Sequence, residues 1–130
     1  MNTKTFGSDV EGVKVKGEAT IKFVRDGVPE RTFTSTTLYM FPRSLRIDGD
    51  EPELVTLRYP SFSGDGDYDW DSASGFVVFY TDPTGVQYST REGRITLKVS
   101  ENTYKQDGSF DVVFDTGQLQ VTGFFSAYGE

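Results

Sequence analysis

From Val13 the chain alternates. Val13, Val15, Gly17, Ala19, Ile21 and Phe23 are apolar or small, while Lys14, Lys16, Glu18, Thr20 and Lys22 between them are polar. A period of two puts successive side chains on opposite faces of an extended chain, so this stretch predicts one long strand with a dry and a wet face. "RDGVPE" (Arg25 to Glu30) carries an Asp-Gly turn signal and leads into a Thr-rich second strand, Arg31 to Phe41, with Phe33, Tyr39 and Phe41 on one face. "PRSLRIDGDEPE" (Pro42 to Glu53), with two prolines, a glycine and four acids, predicts the longest loop. "LVTLRYP" then predicts a third strand, Val55, Leu57 and Tyr59 alternating with Thr56 and Arg58.

"GFVVFY" (Gly75 to Tyr80) is a continuous apolar run, which predicts a strand covered on both faces or a contact surface. "TDPTG" (Thr81 to Gly85) reads as a hairpin turn. "VQYST" and "RITLKVS" read as strands flanking a tight turn at "REG" (Arg91 to Gly93). "SFDVVFD" and "QLQVTGFFSAY" flank a third turn at "DTG" (Asp115 to Gly117). About eight strands joined mostly by hairpin links predict an all-β antiparallel meander, folded into a small flattened β-barrel or a β-sandwich. Gly17 and Gly123, inside strand patterns, read either as the bends that closing a sheet requires or as space for a ring on a neighbouring strand. No repeat or low-complexity linker divides the chain, so residues 1–12 read as a flexible tail and 13–130 as a single domain.

Composition narrows the chemistry. Eleven Phe, seven Tyr and one Trp predict a core rich in rings. A formal charge of −7 repels phosphate backbones and anionic headgroups, so neither nucleic acid nor a membrane surface is expected as partner. The chain has no cysteine and no histidine. That removes disulfides, thiolate and Ser-His-Asp catalysis, imidazole acid–base chemistry and nearly every transition-metal site, and leaves only carboxylate, Lys or Tyr chemistry. The N-terminus has no apolar signal-peptide core, and no apolar run approaches the roughly 18 to 20 residues of a membrane helix. The expected compartment is the cytoplasm, or a secreted or particle-associated form.

The most unusual stretch is "SGDGDYDWDS" (Ser63 to Ser72). Asp65, Asp67, Asp69 and Asp71 occupy every second position, with Tyr68 and Trp70 between them. In an extended chain the four carboxylates point to one side, roughly 6.5 to 7 Å apart, and the rings point to the other. Three readings follow. The acids guard a solvated edge strand against sheet-to-sheet aggregation. They hold calcium, with Asp48 and Asp50 of the other acidic segment contributing. Or Tyr68 and Trp70 form the rim of a carbohydrate site whose acids accept hydroxyl donors. Counting disfavours an EF-hand, because taking Asp65 as first position puts Trp70 where the motif needs Gly and Phe76 where it needs Glu. A carboxylate-based glycoside hydrolase would further need its two acids across a buried cleft.

Apolar residues also occupy both faces of some strands. Leu38 and Met40 oppose Tyr39 and Phe41, Val77 and Phe79 oppose Phe76, Val78 and Tyr80, and Phe124 opposes Phe125. This predicts a contact surface through Leu38, Met40, Val77, Phe79 and Phe124 in a homo-oligomer or with a protein partner. The expected function is therefore binding or assembly without catalysis.

Overall fold

The computed structural model describes residues 13–41, 43–60, 64–114 and 119–129. They form ten strands: β1 Val13–Arg25, β2 Val28–Ser35, β3 Thr37–Phe41, β4 Ser44–Asp48, β5 Leu54–Arg58, β6 Gly66–Asp71, β7 Val77–Thr81, β8 Gln87–Ser100, β9 Lys105–Phe114 and β10 Leu119–Tyr128. Eight of these close into an antiparallel barrel, because β1, at one end of the ladder β10-β9-β8-β7-β5-β4-β3-β1, also pairs with β10. The all-β barrel reading holds. The two remaining strands, β2 and β6, lie outside the closed ring, paired with β1 and β8 respectively.

The barrel is flattened, and the two longest strands make its corners. β1 pairs with β3 through Val13–Val15 and, on the same edge, with β2 through Ala19–Arg25. β8 pairs with β7 through Gln87–Ser89 and with β6 through Arg94–Val99. Each therefore serves a front sheet centred on β4 and β5 and a back sheet ordered β2-β1-β10-β9-β8-β6. The outer edges of β2 and β6 bound the back sheet and meet no further strand among the described residues.

Side chains fill the space between the sheets. Ile21, Phe23, Leu38, Leu45, Ile47, Leu57, Phe76, Ile95, Leu97 and Phe114 are almost wholly removed from water. The rings are accommodated by glycine. A Cβ at Gly123 would fall within 2.8 Å of the Phe110 ring, and one at Gly108 within 2.7 Å of the Phe125 ring. Gly123 lies opposite Phe110, and Gly108 opposite Phe125, in the β9–β10 ladder. Each glycine thus receives the ring of its cross-strand partner, as aromatic residues do when they cover glycines in sheets. Gly17 differs: its φ is 148°, and its neighbour is the backbone of β10. The ring reading of the strand glycines thus applies at Gly123, whereas Gly17 makes room for neither a ring nor a turn but for the β10 backbone.

Three sequence expectations change. The segment Pro42 to Glu53, expected as a loop, contains β4, because Leu45 and Ile47 alternate with Arg46 and Asp48 and both apolar residues enter the core. The expected second strand is two, since the chain breaks at Thr36 and the buried positions switch from Phe33 and Ser35 to Leu38. The expected turn at Arg91–Gly93 is instead a bulge within the continuous 14-residue β8, where the register with β9 shifts between Thr90 and Glu92. A bulge bends and twists its strand, which lets one strand pass from the front sheet to the back. The turns at Asp26–Gly27 and within Thr81 to Gly85 stand as expected: Asp26, Gly27 and Gly85 all have positive φ, and the Asp82 carboxylate accepts the Thr84 and Val86 amides. The expected tail, residues 1–12, and the expected turn at Asp115–Gly117 lie outside the described residues.

Candidate functional site

The acidic aromatic stretch is edge strand β6, and its two faces do different work. Tyr68 and Trp70 turn inward and pack half-buried against the core. Trp70 stacks on fully buried Tyr59 with ring centroids 5.8 Å apart, and Tyr68 stacks on Trp70 at 5.1 Å. The Tyr68 hydroxyl donates to the Gly64 carbonyl at 2.9 Å, and the Tyr59 hydroxyl donates to Gln106 Oε1 at 3.2 Å. Burial pushes the Tyr59 hydroxyl far above the ordinary tyrosine pKa, so it stays a neutral donor. The rings thus form a three-membered stack that plugs the flank of the barrel, with Trp70 between its two neighbours.

The four aspartates lie on the exposed side, and three have separate partners. The Asp65 carboxylate accepts the amides of Asn102 and Thr103 at 3.1 and 2.8 Å. Those residues and Glu101 all have left-handed φ of 57° to 69°, which costs an L-residue roughly 1 to 2 kcal/mol each, so Asp65 clamps a strained β8–β9 turn. Asp69 pairs with Arg94 at 3.1 Å. Asp71 caps the single 3₁₀ turn Ser72–Ser74, and the hydrogen bonds from the Ser74 hydroxyl and amide hold its carboxyl below the ordinary range. Asp67 lies opposite Lys98 in the β6–β8 ladder. Asp48 and Asp50 are not brought near β6. Asp48 pairs with Arg46 at 2.8 Å, and its carbonyl accepts the Ser35 hydroxyl beyond the β2 edge. Among the described residues no three acidic side chains gather into a group able to hold a metal.

The expected contact residues separate into three groups. Leu38 is wholly buried in the core, and Met40 packs against it, its sulfur 3.9 Å from Gln106 Nε2. Neither lies on the outer surface, because the break at Thr36 shifts which positions of the β2–β3 segment face inward. Phe124 stands exposed on the back sheet in a row with Thr20, Ser109 and Thr96. Val77 and Phe79 face outward from the front sheet. There the ladder aligns Lys14, Tyr39, Arg46, Thr56, Phe79 and Ser89 in one row. A second row holds Phe41, Ser44, Arg58 and Val77. Arg46 lies 4.5 Å over the Tyr39 ring and Arg58 5.7 Å from the Phe79 ring centroid, both in cation–π range. The front face of this acidic chain is thus aromatic and carries three cations in these two rows, Lys14, Arg46 and Arg58, while the Asp48 carboxylate that pairs with Arg46 stands in a further row with Thr37 and Leu54. The sequence pattern pointed to Val77 and Phe79 but not to Tyr39, Arg46 and Arg58, whose alternation with core residues was the signal that they too face outward.

The back sheet's outer surface is different. One row runs Thr32, Lys22, Thr122, Asp111, Arg94, Asp71, with opposite charges adjacent or one position apart. At its β6 end an open cleft of about 460 Å³ is lined by Asp71, Ser72, Arg94, Asp111, Val113 and Gln120 among others.

A third feature had no sequence signal. Glu53, 4% exposed, receives Arg31 through two guanidinium nitrogens at 2.5 and 3.1 Å and the Tyr80 hydroxyl at 2.8 Å. The bond to Glu53 raises the Arg31 pKa further, while burial, followed by the bond to Glu53, pushes the Tyr80 hydroxyl above its ordinary value. This clasp ties β2 to the β4–β5 turn and to β7.

The fold and surfaces define a class: a closed, side-chain-filled antiparallel barrel with two appended edge strands and an aromatic, cationic outer face. Compared with known proteins, the chain matches no family model, no curated protein and no solved structure.

Proposed function

We propose that this chain is a non-enzymatic binding protein that engages a macromolecular partner through the outer face of its front sheet. The observation that carries the reading is the contrast between the two outer faces. The back face alternates charges and threonines around the separate exposed rings of Phe124 and Tyr128, whereas the front face groups Tyr39, Phe41, Val77 and Phe79 around Arg46 and Arg58. Aromatic residues and arginine are the types enriched where proteins meet, and they supply most of the energy of such contacts. Replacing Phe79 by a photo-reactive benzoylphenylalanine in the native cell is expected to trap a macromolecular adduct. The same residue at Ser109 on the back face should trap little. Adducts forming at 109 and not at 79 would reverse the assignment.

A second reading keeps a ligand at β6. The cleft beside Asp71 and Arg94 presents carboxylates, an amide and a guanidinium beside the apolar Ala73 and Val113, a lining suited to sugar hydroxyls. Calcium would have to use the carboxylate side of the same strand. A melt with and without calcium, and with a panel of monosaccharides, decides this. A ligand at about 100 times its dissociation constant adds about 2.7 kcal/mol of stability, and an unmoved transition throughout would dismiss the reading.

A further inference from the structure

The front face is charged against the trend of the chain. Its outward ladder positions hold four charged residues, Lys14, Arg46, Asp48 and Arg58. They sum to +2 in a chain of −7, which leaves −9 on the rest of the molecule. Asp48 engages one cation only, Arg46, through two guanidinium nitrogens at 2.8 and 3.1 Å. Lys14 and Arg58 form no ion pair among the described residues. Arg58 stands in its row between Ser44 and Val77, and both Arg58 and the neighbouring Phe79 are exposed. A guanidinium beside a ring uses its flat face there and keeps its N–H edge for an acceptor. Arg58 therefore presents an oriented, unneutralised donor edge next to apolar surface.

We infer that the front face docks an acidic protein segment, in which a carboxylate takes the N–H edge of Arg58 and neighbouring apolar side chains cover Phe79 and Val77. The inference rests on the front-face reading above and names the chemistry of its partner. Carboxylate and guanidinium form the stronger, charge-assisted kind of hydrogen bond, and like charges brought to the same place cost several kcal/mol, so the pair selects partners by sign. Two other occupants fit less well. The front face of a second copy would bring +2 against +2. The acidic strand β6 of a second copy has Asp65, Asp69 and Asp71 already engaged by the Asn102 and Thr103 amides, by Arg94 and by Ser74. A single-stranded nucleic acid would find rings and cations here, but only two of the three cations are unneutralised, and its phosphates would also approach the −9 of the remaining surface.

The test repeats the photo-cross-link at position 79 with Arg58 intact, with Arg58→Gln and with Arg58→Glu. Matching melting curves check that the barrel tolerates each change at this exposed position. The adduct is expected to weaken in Arg58→Gln and to fall by at least about tenfold in Arg58→Glu, where attraction becomes repulsion. Mass spectrometry should map the cross-link to a protein segment carrying Asp or Glu, and changing that acid to Lys in the partner should restore the adduct with Arg58→Glu. An adduct that forms equally well with Arg58→Glu, or that maps to a segment without acids, overturns the inference and leaves the front-face reading standing. An adduct of twice the mass of the chain, or one that nuclease removes, overturns it in favour of a second copy or of a nucleic acid. No adduct at position 79 under any condition overturns both readings.

Discussion

Gly17→Ala is expected to destabilise the barrel by about 3 kcal/mol or more, a large share of the 5 to 15 kcal/mol typical of a domain. A Cβ at position 17 would lie no farther than 3.0 Å from three backbone atoms of β10, the carbonyl oxygen and carbon of Ser126 and the Cα of Ala127. Backbone cannot swing aside as a flexible side chain can. The β1–β10 ladder that pairs Gly17 with Ala127 is also the one that closes the ring. Overpacking of this kind costs about 1 to 3 kcal/mol, and holding an alanine at a φ of 148° adds a similar strain. Gly85→Ala separates the two contributions, because Gly85 also has positive φ, 92°, but nothing lies within 4 Å of its Cβ position. That variant should lose only about 1 to 2 kcal/mol. Urea denaturation of both variants measures the difference. Equal losses would mean that the close approach of β10 contributes nothing.

The strand pattern was legible because a half-buried sheet imposes period two wherever one face is dry, and β1, β5, β9 and β10 obey it throughout. Legibility failed where a local signal and a distant contact disagree. "REG" has the composition of a turn, yet it bulges within β8 because that strand must serve two sheets, a demand made by β6 and β7 and invisible in the segment itself. "SLRID" offers only two apolar positions among prolines, glycine and acids, so β4 reads as loop until Leu45 and Ile47 are seen in the core. The aspartates of β6 showed their common face but not their partners. Arg94 and the amides of Asn102 and Thr103 lie 25 to 38 residues away in sequence. Trp70 was readable as displayed or buried because an edge strand is both, acidic outside and aromatic inside.

The clasp of Arg31 and Glu53 yields the second large effect. Arg31→Met is expected to cost about 3 kcal/mol, because it leaves a carboxylate with 4% exposure to the Tyr80 hydroxyl alone. Breaking a buried pair by removing one partner typically costs about 3 to 5 kcal/mol, and the lower end applies because the Arg31 side chain is 37% exposed and water reaches the vacated space. Glu53→Leu removes the buried charge itself and should cost less, chiefly the unpaired Arg31 and Tyr80 donors. In the double variant no charge is left to desolvate, so most of the Arg31→Met loss should be recovered, since apolar replacements of buried pairs are often neutral. A double-mutant cycle by chemical denaturation reads the coupling directly, and additive losses, within about 0.5 kcal/mol, would show that the two residues do not act as a pair. The clasp also has a local consequence. β2 lies outside the closed ring and is held by β1 on one edge only, so Arg31, together with the Ser35 hydroxyl that donates to the Asp48 carbonyl, ties it to the front sheet. Hydrogen exchange in Arg31→Met should therefore quicken first at the amides of Thr32 to Ser35, before the closed strands β9 and β10 open.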